Sequence, residues 1–220
     1  MLLGEELLLM SLDVVSGIPA PGLEVIHREA FLSACLLAEL AVQKQVGWTP
    51  DGVRLLDKLP DYHTLLSEAV LALKRSPTAN PADAIRRISH ALPDLRDRHL
   101  DSLVSRDLLH EAGRRRFLIA GARSYPVRST RARNEAFAHL AEAAAGRCNS
   151  MRGMAMLLLA DAVAATLRLL PETEANAAGI RAAALARETR EALPANRDWT
   201  TTQSASALIV GVAEALPHLV

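Results

Sequence analysis

The sequence predicts a mostly α-helical single domain, and three observations carry that prediction. Half of the residues are apolar, yet only 3% are aromatic. Leu and Ala supply most of the apolar fraction and favour helix, whereas the β-branched and aromatic residues that favour strands are scarce. At 220 residues the chain has the length of one or two domains and is long enough to bury a real core. With no fixed-period repeat and no low-complexity linker, residues 1–220 read as one compact unit.

The elements follow in order. Residues 2–12 form a short helix, apolar along EELLLM, that SGIPAPG (16–22) breaks. Residues 24–45 are helical, with LSACLLAELAV largely buried, and Gly47 and Pro50 interrupt. VRLLD (53–57) suits a short strand. Pro60 and Asp61 are start signals for a helix to about residue 73. SPTANP (76–81) is a loop, a helix covers 82–91, and the next begins near Pro93-Asp94 and runs to about Asp107. LLHEAGRRRFLIAG then reads as two short strands around Glu111-Ala112-Gly113. Helices at about 129–145, 151–169, 174–192 and 203–216 complete the chain, separated by Gly146, Pro171 and Pro194.

Charge narrows the function. Lys and Arg balance Asp and Glu at 25 each. The stretch from Arg96 to Arg133, however, holds ten Arg against four acids, so the rest of the chain is acidic by six. Such asymmetry suggests one face made for an anion: lipid headgroups, nucleic acid or an acidic partner. The two cysteines, Cys35 and Cys148, lie in apolar helical stretches and make no disulfide framework, which fits a reducing cytosol. MLLGEELLLMSL lacks the positive flank of a signal peptide. The best candidate span, residues 154–167, is short and holds Asp161. The expectation is a protein that is soluble or lies on a membrane without crossing it.

Motifs for catalysis are missing. The sequence has no G-x-S-x-G, P-loop, G-x-G-x-x-G or H-E-x-x-H, and its seven histidines form no convincing ligand pairs. Neither cofactor nor metal is expected, and no enzyme activity. Glu5, Glu6 and Glu39 sit in apolar helices, where they are either paired catalytic carboxylates or, more commonly, partners of a structural arginine. His99 lies on an apolar helix stripe, the setting of a packed core histidine rather than a ligand.

The helix PDLRDRHLDSLVSRDLL says more. At 100° per residue, Leu95, Leu100, Leu103 and Val104 share one broad face, with Arg96 near its middle and Arg98 opposite, toward water. Arg96 thus stands where a core leucine is expected, and a buried arginine must be paired. It either joins an internal ion pair, with Glu39 or an N-terminal glutamate, or forms the floor of a pocket and offers its planar donor fork to a phosphate.

HEAGRRRFLIAGARSYPV (110–127) admits three readings. In a membrane reading, Arg114, Arg115, Arg116 and Arg123 sit among anionic headgroups, where each basic residue contributes roughly 1 kcal/mol. Phe117, Leu118 and Ile119 then dip into the bilayer or pack on a second copy. In a nucleic-acid reading it is the wing of a winged helix, with the preceding helix in the major groove. Asp94, Asp97 and Asp101 on that helix would face phosphates badly, so no nucleic acid is expected. The third reading is a solvated turn packed on the body.

EELLLMSLD (5–13), LLAELA (36–41), RDRHLDSLVSRDLL with its hairpin, and SYPVRS (124–129), followed by the late small-residue helix SASALIVGVAEAL, together resemble the Golgi phosphoprotein 3 family in its shorter prokaryotic form. The resemblance covers most of the chain. It implies a central helical bundle wrapped by amphipathic helices, with a projecting β-hairpin. It further implies a cytoplasmic protein docking reversibly on the cytoplasmic face of a membrane. Anionic membrane lipid, further copies of the chain through the hairpin and a protein cargo are the implied partners. Eukaryotic members bind phosphatidylinositol 4-phosphate with a tryptophan and three arginines. On this sequence those positions fall at Glu24, Ser33, Pro93 and Arg96, so only Arg96 is retained. The resemblance implies Arg96, with Arg98 beside it, as headgroup-binding, while the three departures argue against specific phosphatidylinositol 4-phosphate recognition. The hairpin carries over better: Phe117-Leu118-Ile119 matches the family's apolar return strand in position.

Overall fold

The computed structural model describes residues 1–56, 63–75, 78–112, 123–195 and 199–220. Helix α1 (Leu3–Ser11) is buried along its whole length, Glu5 and Glu6 included. A helix that is apolar on all sides belongs at the centre of a bundle rather than on its surface. Helices α2 (Glu29–Val42), α7 (Met151–Ala162) and α10 (Thr201–Ala215) are similarly buried over most of their lengths; α2 and α7 pack on α1 and on each other, and α10 packs on both α2 and α7. A 3-10 turn, Glu24–His27, precedes α2, so the single helix expected over 24–45 is divided at Arg28.

The remaining helices wrap this centre. Helix α3 (Thr64–Lys74) lies on α2, and α4 (Pro81–Ala91) covers α2 and α10. Helix α5 (Leu95–Ser105) lies on α1 and α2, and α6 (Thr130–Ala144) on α1 and α7. Beyond a short α8 (Thr166–Leu169), α9 (Glu172–Glu191) covers α6 and α7. One apolar core runs through all of them, from Leu2 to Leu216. Local chemistry sets the boundaries. Asn80 caps α4, accepting from the Asp83 N–H at 2.9 Å, with Pro81 in the first turn. Thr200 and Gln203 cap α10 reciprocally. The helix expected over 151–169 breaks at Ala164, whose φ is 56°.

Strands β1 (Val46–Thr49) and β2 (Gly52–Leu55) form an antiparallel hairpin around Pro50-Asp51. The strand expected at 53–57 is β2. Its partner β1 lies where Gly47 and Pro50 predict a break. Tertiary packing overrides that signal: β1 lies on α10, and Trp48 presses so closely on Gly211 that a Cβ there would stand 2.8 Å from the ring.

At the base of the 110–127 segment two isolated antiparallel bridges form. Leu109 pairs with Val127 and Ala112 with Ser124, antiparallel. Ala112 is therefore paired rather than part of a turn, and the described returning segment is Ser124–Val127. This corrects the placement of the strands around Glu111-Ala112-Gly113. Arg114, Arg115, Arg116, Phe117, Leu118 and Ile119 lie outside the described residues.

Candidate functional site

Arg96 stands in the first turn of α5. The helix begins after Asp94, in the left-handed conformation at φ 60°. The Leu95 and Arg96 N–H groups donate to Glu29 across the interface with α2, at 3.1 and 3.4 Å. A helix N-terminus is a favourable seat for an anion. Here the Glu29 carboxylate takes it. The Arg96 Nε donates to His27 Nδ1 at 3.3 Å, and Nη1 reaches Asp97 Oδ1 at 3.3 Å. With Nδ1 accepting, His27 carries its proton on Nε2 and donates to the Ser11 hydroxyl at 2.8 Å. Ser11 in turn donates to the Leu8 carbonyl at 2.7 Å. Burial, helped by the Arg96 charge, pushes His27 down to about 4, which keeps the imidazole neutral as this chain of donors requires.

Two expectations are corrected here. Arg96 is not a core residue, since its side chain keeps 30% of its exposure, and its partners are His27 and Asp97 rather than Glu39 or an N-terminal glutamate. A helical wheel gives direction around the axis but not depth along it. At the helix end a long side chain reaches the surface, while His99, one turn later, is fully buried with Leu95, Leu100 and Leu103. Arg98 does not simply point into water. It makes a two-point pair with Glu68 on α3, at 2.7 and 2.8 Å. The hydrogen bonds from Arg98 hold the Glu68 carboxyl below its ordinary value. A headgroup at either arginine would have to displace carboxylates already in place.

The buried acids serve the fold. Glu39 accepts from the Leu3 N–H at 2.8 Å and from Arg152 at 2.9 and 3.0 Å. The other Arg152 nitrogen reaches Glu6 at 2.8 Å and the Met1 carbonyl at 2.7 Å. Glu5 accepts from Ser102 at 2.6 Å, Arg106 at 2.8 Å and the Leu2 N–H at 2.9 Å. The arginine partners expected for these acids are therefore Arg106 and Arg152. Among the described residues no cluster of three or more His, Cys, Asp or Glu could hold a metal ion.

The root of the 110–127 hairpin carries a feature the sequence reading missed. Residues 13–18 turn back on themselves: the Asp13 carboxylate accepts from the Val15 and Ser16 N–H groups and the Ser16 hydroxyl. This loop docks on the returning strand, with Tyr125 N–H donating to the Gly17 carbonyl at 2.8 Å and Val127 N–H to the Val14 carbonyl at 3.0 Å. Gly17 sits at φ 67°, and a Cβ on it would lie 2.1 Å from the Tyr125–Pro126 backbone. Tyr125 is fully buried beneath. The loop then offers Val15, 84% exposed, and Ile18, 49% exposed, to solvent. Arg123 and Glu111 stand nearby at the root, 3.8 Å apart. The signal was a Val-Val pair placed directly before a Ser-Gly turn.

A family model for Golgi phosphoprotein 3 matches residues 3–204. The chain belongs to the Golgi phosphoprotein 3 family. No curated protein matches it. Within the Golgi phosphoprotein 3 pattern, the four positions carried over for the lipid site differ in burial. Ser33 is fully buried in α2, Glu24 is exposed and accepts from the Gly22 N–H at 3.0 Å, Pro93 is exposed before α5, and Arg96 is half-buried. An arginine at Ser33 would be enclosed by the core. In this Golgi phosphoprotein 3 member, no described helix is long and apolar enough to cross a membrane.

Proposed function

We propose that this chain is a peripheral membrane protein that attaches to anionic lipid on the cytoplasmic face through the 110–127 hairpin and the 13–18 loop beside it. The observation that supports the reading is the docking of that loop on Tyr125 and Val127, which sets the exposed Val15 and Ile18 at the described base of a segment whose sequence carries Arg114, Arg115, Arg116 and Arg123. Basic residues near an anionic leaflet contribute about 1 kcal/mol each, and exposed apolar side chains add burial in the interface. Arg96 and Arg98 are secondary in this reading, because Glu29, Asp97 and Glu68 already occupy their surroundings. The same face would take a second copy of the chain or a protein cargo, and no catalytic step is part of the proposal.

Vesicle flotation tests it. Recovery is expected to rise with the fraction of phosphatidylserine in phosphatidylcholine vesicles, to fall with added salt, and to be lost when Arg114, Arg115 and Arg116 are all changed to Glu. Equal recovery on neutral and anionic vesicles at low salt would overturn it. A duplex-DNA gel shift addresses the winged-helix alternative, against which stand the exposed Asp94 and Asp101 of the α5 region.

A further inference from the structure

Helix α4 is strongly two-sided. Ala84, Ile85 and Ile88 are buried, while Arg86 and His90 are exposed on the opposite side. Being four residues apart, these two stand one above the other along the helix. They form a ridge between two concave surfaces. The larger, about 910 Å³, lies between α4 and the end of α3, with Arg75 on one wall and Arg86, Arg87 and His90 on the other. Ala72, Ala79 and Ala91 also line it, and a methyl group at each leaves the trough open. The smaller, about 520 Å³, has the same Arg86 and His90 on one side and His218 on the other.

The charges favour an anion. Among the described residues, Arg75 and Arg86 face the larger concavity with one acid, Asp83. Asp83 pairs with Arg86 at 2.8 Å, but both side chains are well exposed, at 44% and 62%. An exposed pair of this kind is worth about 0–1 kcal/mol. It yields readily to a phosphate, which accepts from two guanidinium forks at once. Among the described residues, no acid lines the smaller concavity. Arg96 is placed differently, since Glu29 and Asp97 lie against it and line neither surface.

We infer that the surface around Arg86 and His90 is a second anion-binding site that takes a phosphate-bearing ligand, gripped by Arg75 and Arg86 from facing walls with His90 between. It is independent of the hairpin and of the membrane reading. The ligand chemistry is a phosphate monoester or diphosphate, carried on a lipid headgroup or on a soluble metabolite.

Sodium pyrophosphate, titrated at constant ionic strength into the full chain with labelled histidine, is the probe. A saturable shift of the His90 imidazole resonances is expected. R75A/R86A removes two charge-assisted contacts and should weaken binding by more than about tenfold, the effect of losing even one, while R96A leaves it within about twofold. Arg75 and Arg86 are exposed, so the double variant should melt as the parent does. Phosphatidylcholine vesicles containing phosphatidic acid then separate the sources: competition with pyrophosphate assigns the site to a headgroup, and its absence assigns it to a soluble ligand. A shift that follows ionic strength without saturating, or unchanged affinity in R75A/R86A, overturns the inference.

Discussion

Arg152 Nη1 lies 3.0 and 2.9 Å from the two carboxylate oxygens of Glu39, joining α7 to α2 inside the bundle. Its second nitrogen holds Glu6 of α1 at 2.8 Å, so one guanidinium compensates two almost wholly buried acids. Removing one partner of a buried pair leaves an uncompensated charge and costs about 3–5 kcal/mol. Arg152→Ala is therefore expected to lower the urea midpoint steeply. Arg131→Ala, whose 89% exposed side chain pairs with Glu135 on α6, should change stability by less than about 1 kcal/mol. Equal midpoints for the two variants would contradict this account.

Acid should unfold the protein in a defined window. Burial is the main cause that pushes His99 down to about 4, and the nearby Glu5 charge opposes it without winning. His27 is also pushed down to about 4, again chiefly by burial. Between the ordinary value of 6.5 and about 4 the unfolded chain binds protons that the folded chain refuses. Stability is therefore full above that window and falls as pH drops through it, by on the order of 3 kcal/mol per histidine. Glu5 acts in the same direction but lower. Its burial penalty is outweighed by hydrogen bonds from Ser102 and Leu2 and by the Arg106 charge. The stability it contributes is present above 4.5 and lost as pH falls through its lowered folded value. His99→Leu should flatten the dependence of the urea midpoint on pH between 6.5 and 4. A parallel curve in the variant would refute the assignment. Neither His99 ring nitrogen has a hydrogen-bond partner among the described residues, so the substitution should cost little at neutral pH.

Two glycines with positive φ should respond differently to alanine. At Gly17 the new methyl meets backbone at 2.1 Å and cannot be accommodated without parting the loop from the hairpin root. Gly17→Ala is expected to cost more than about 2 kcal/mol and to expose the 110–127 segment to limited proteolysis. At Gly22 the nearest atom is Arg168 Nε at 3.2 Å, the end of a flexible side chain, so Gly22→Ala should cost only about 1 kcal/mol. Thermal melts and digestion rates compare them directly.

If the 13–18 loop touches lipid, V15D/I18D should lower recovery on anionic vesicles several-fold. Both side chains are already in solvent, so the melting temperature should stay put, a surface change of this kind being within about 0.5 kcal/mol. Arg96→Ala tests the headgroup role that the family pattern gives to this residue. With Glu29 and Asp97 in place, it should alter recovery by less than about twofold. A loss as large as that of V15D/I18D would instead return Arg96 to the lipid site.

Composition and periodicity were enough to read a helical bundle, because Leu- and Ala-rich segments bounded by Gly, Pro and capping residues have one favourable local conformation. The chain's order of motifs carried the resemblance to Golgi phosphoprotein 3, which the match over residues 3–204 bears out. The pairing of buried acids with arginines was legible in kind, since a carboxylate in an apolar helix needs a cation. Which arginine was not: Arg152 and Glu39 lie 113 residues apart, and only the packing of α7 on α2 selects them. The same holds for Arg96, whose direction followed from its helix but whose depth depended on where α5 ends against Glu29 and His27. Strand β1 and the Val15–Ile18 loop were hidden by Gly and Pro, which mark breaks locally, although Gly47 and Gly17 are needed where the backbone closes on Ser204 and on Tyr125. Local propensity is written residue by residue, so the sequence alone determined the helices. The partners of each charge, and the surfaces left to solvent, depend on distances between segments that only the closed bundle defines.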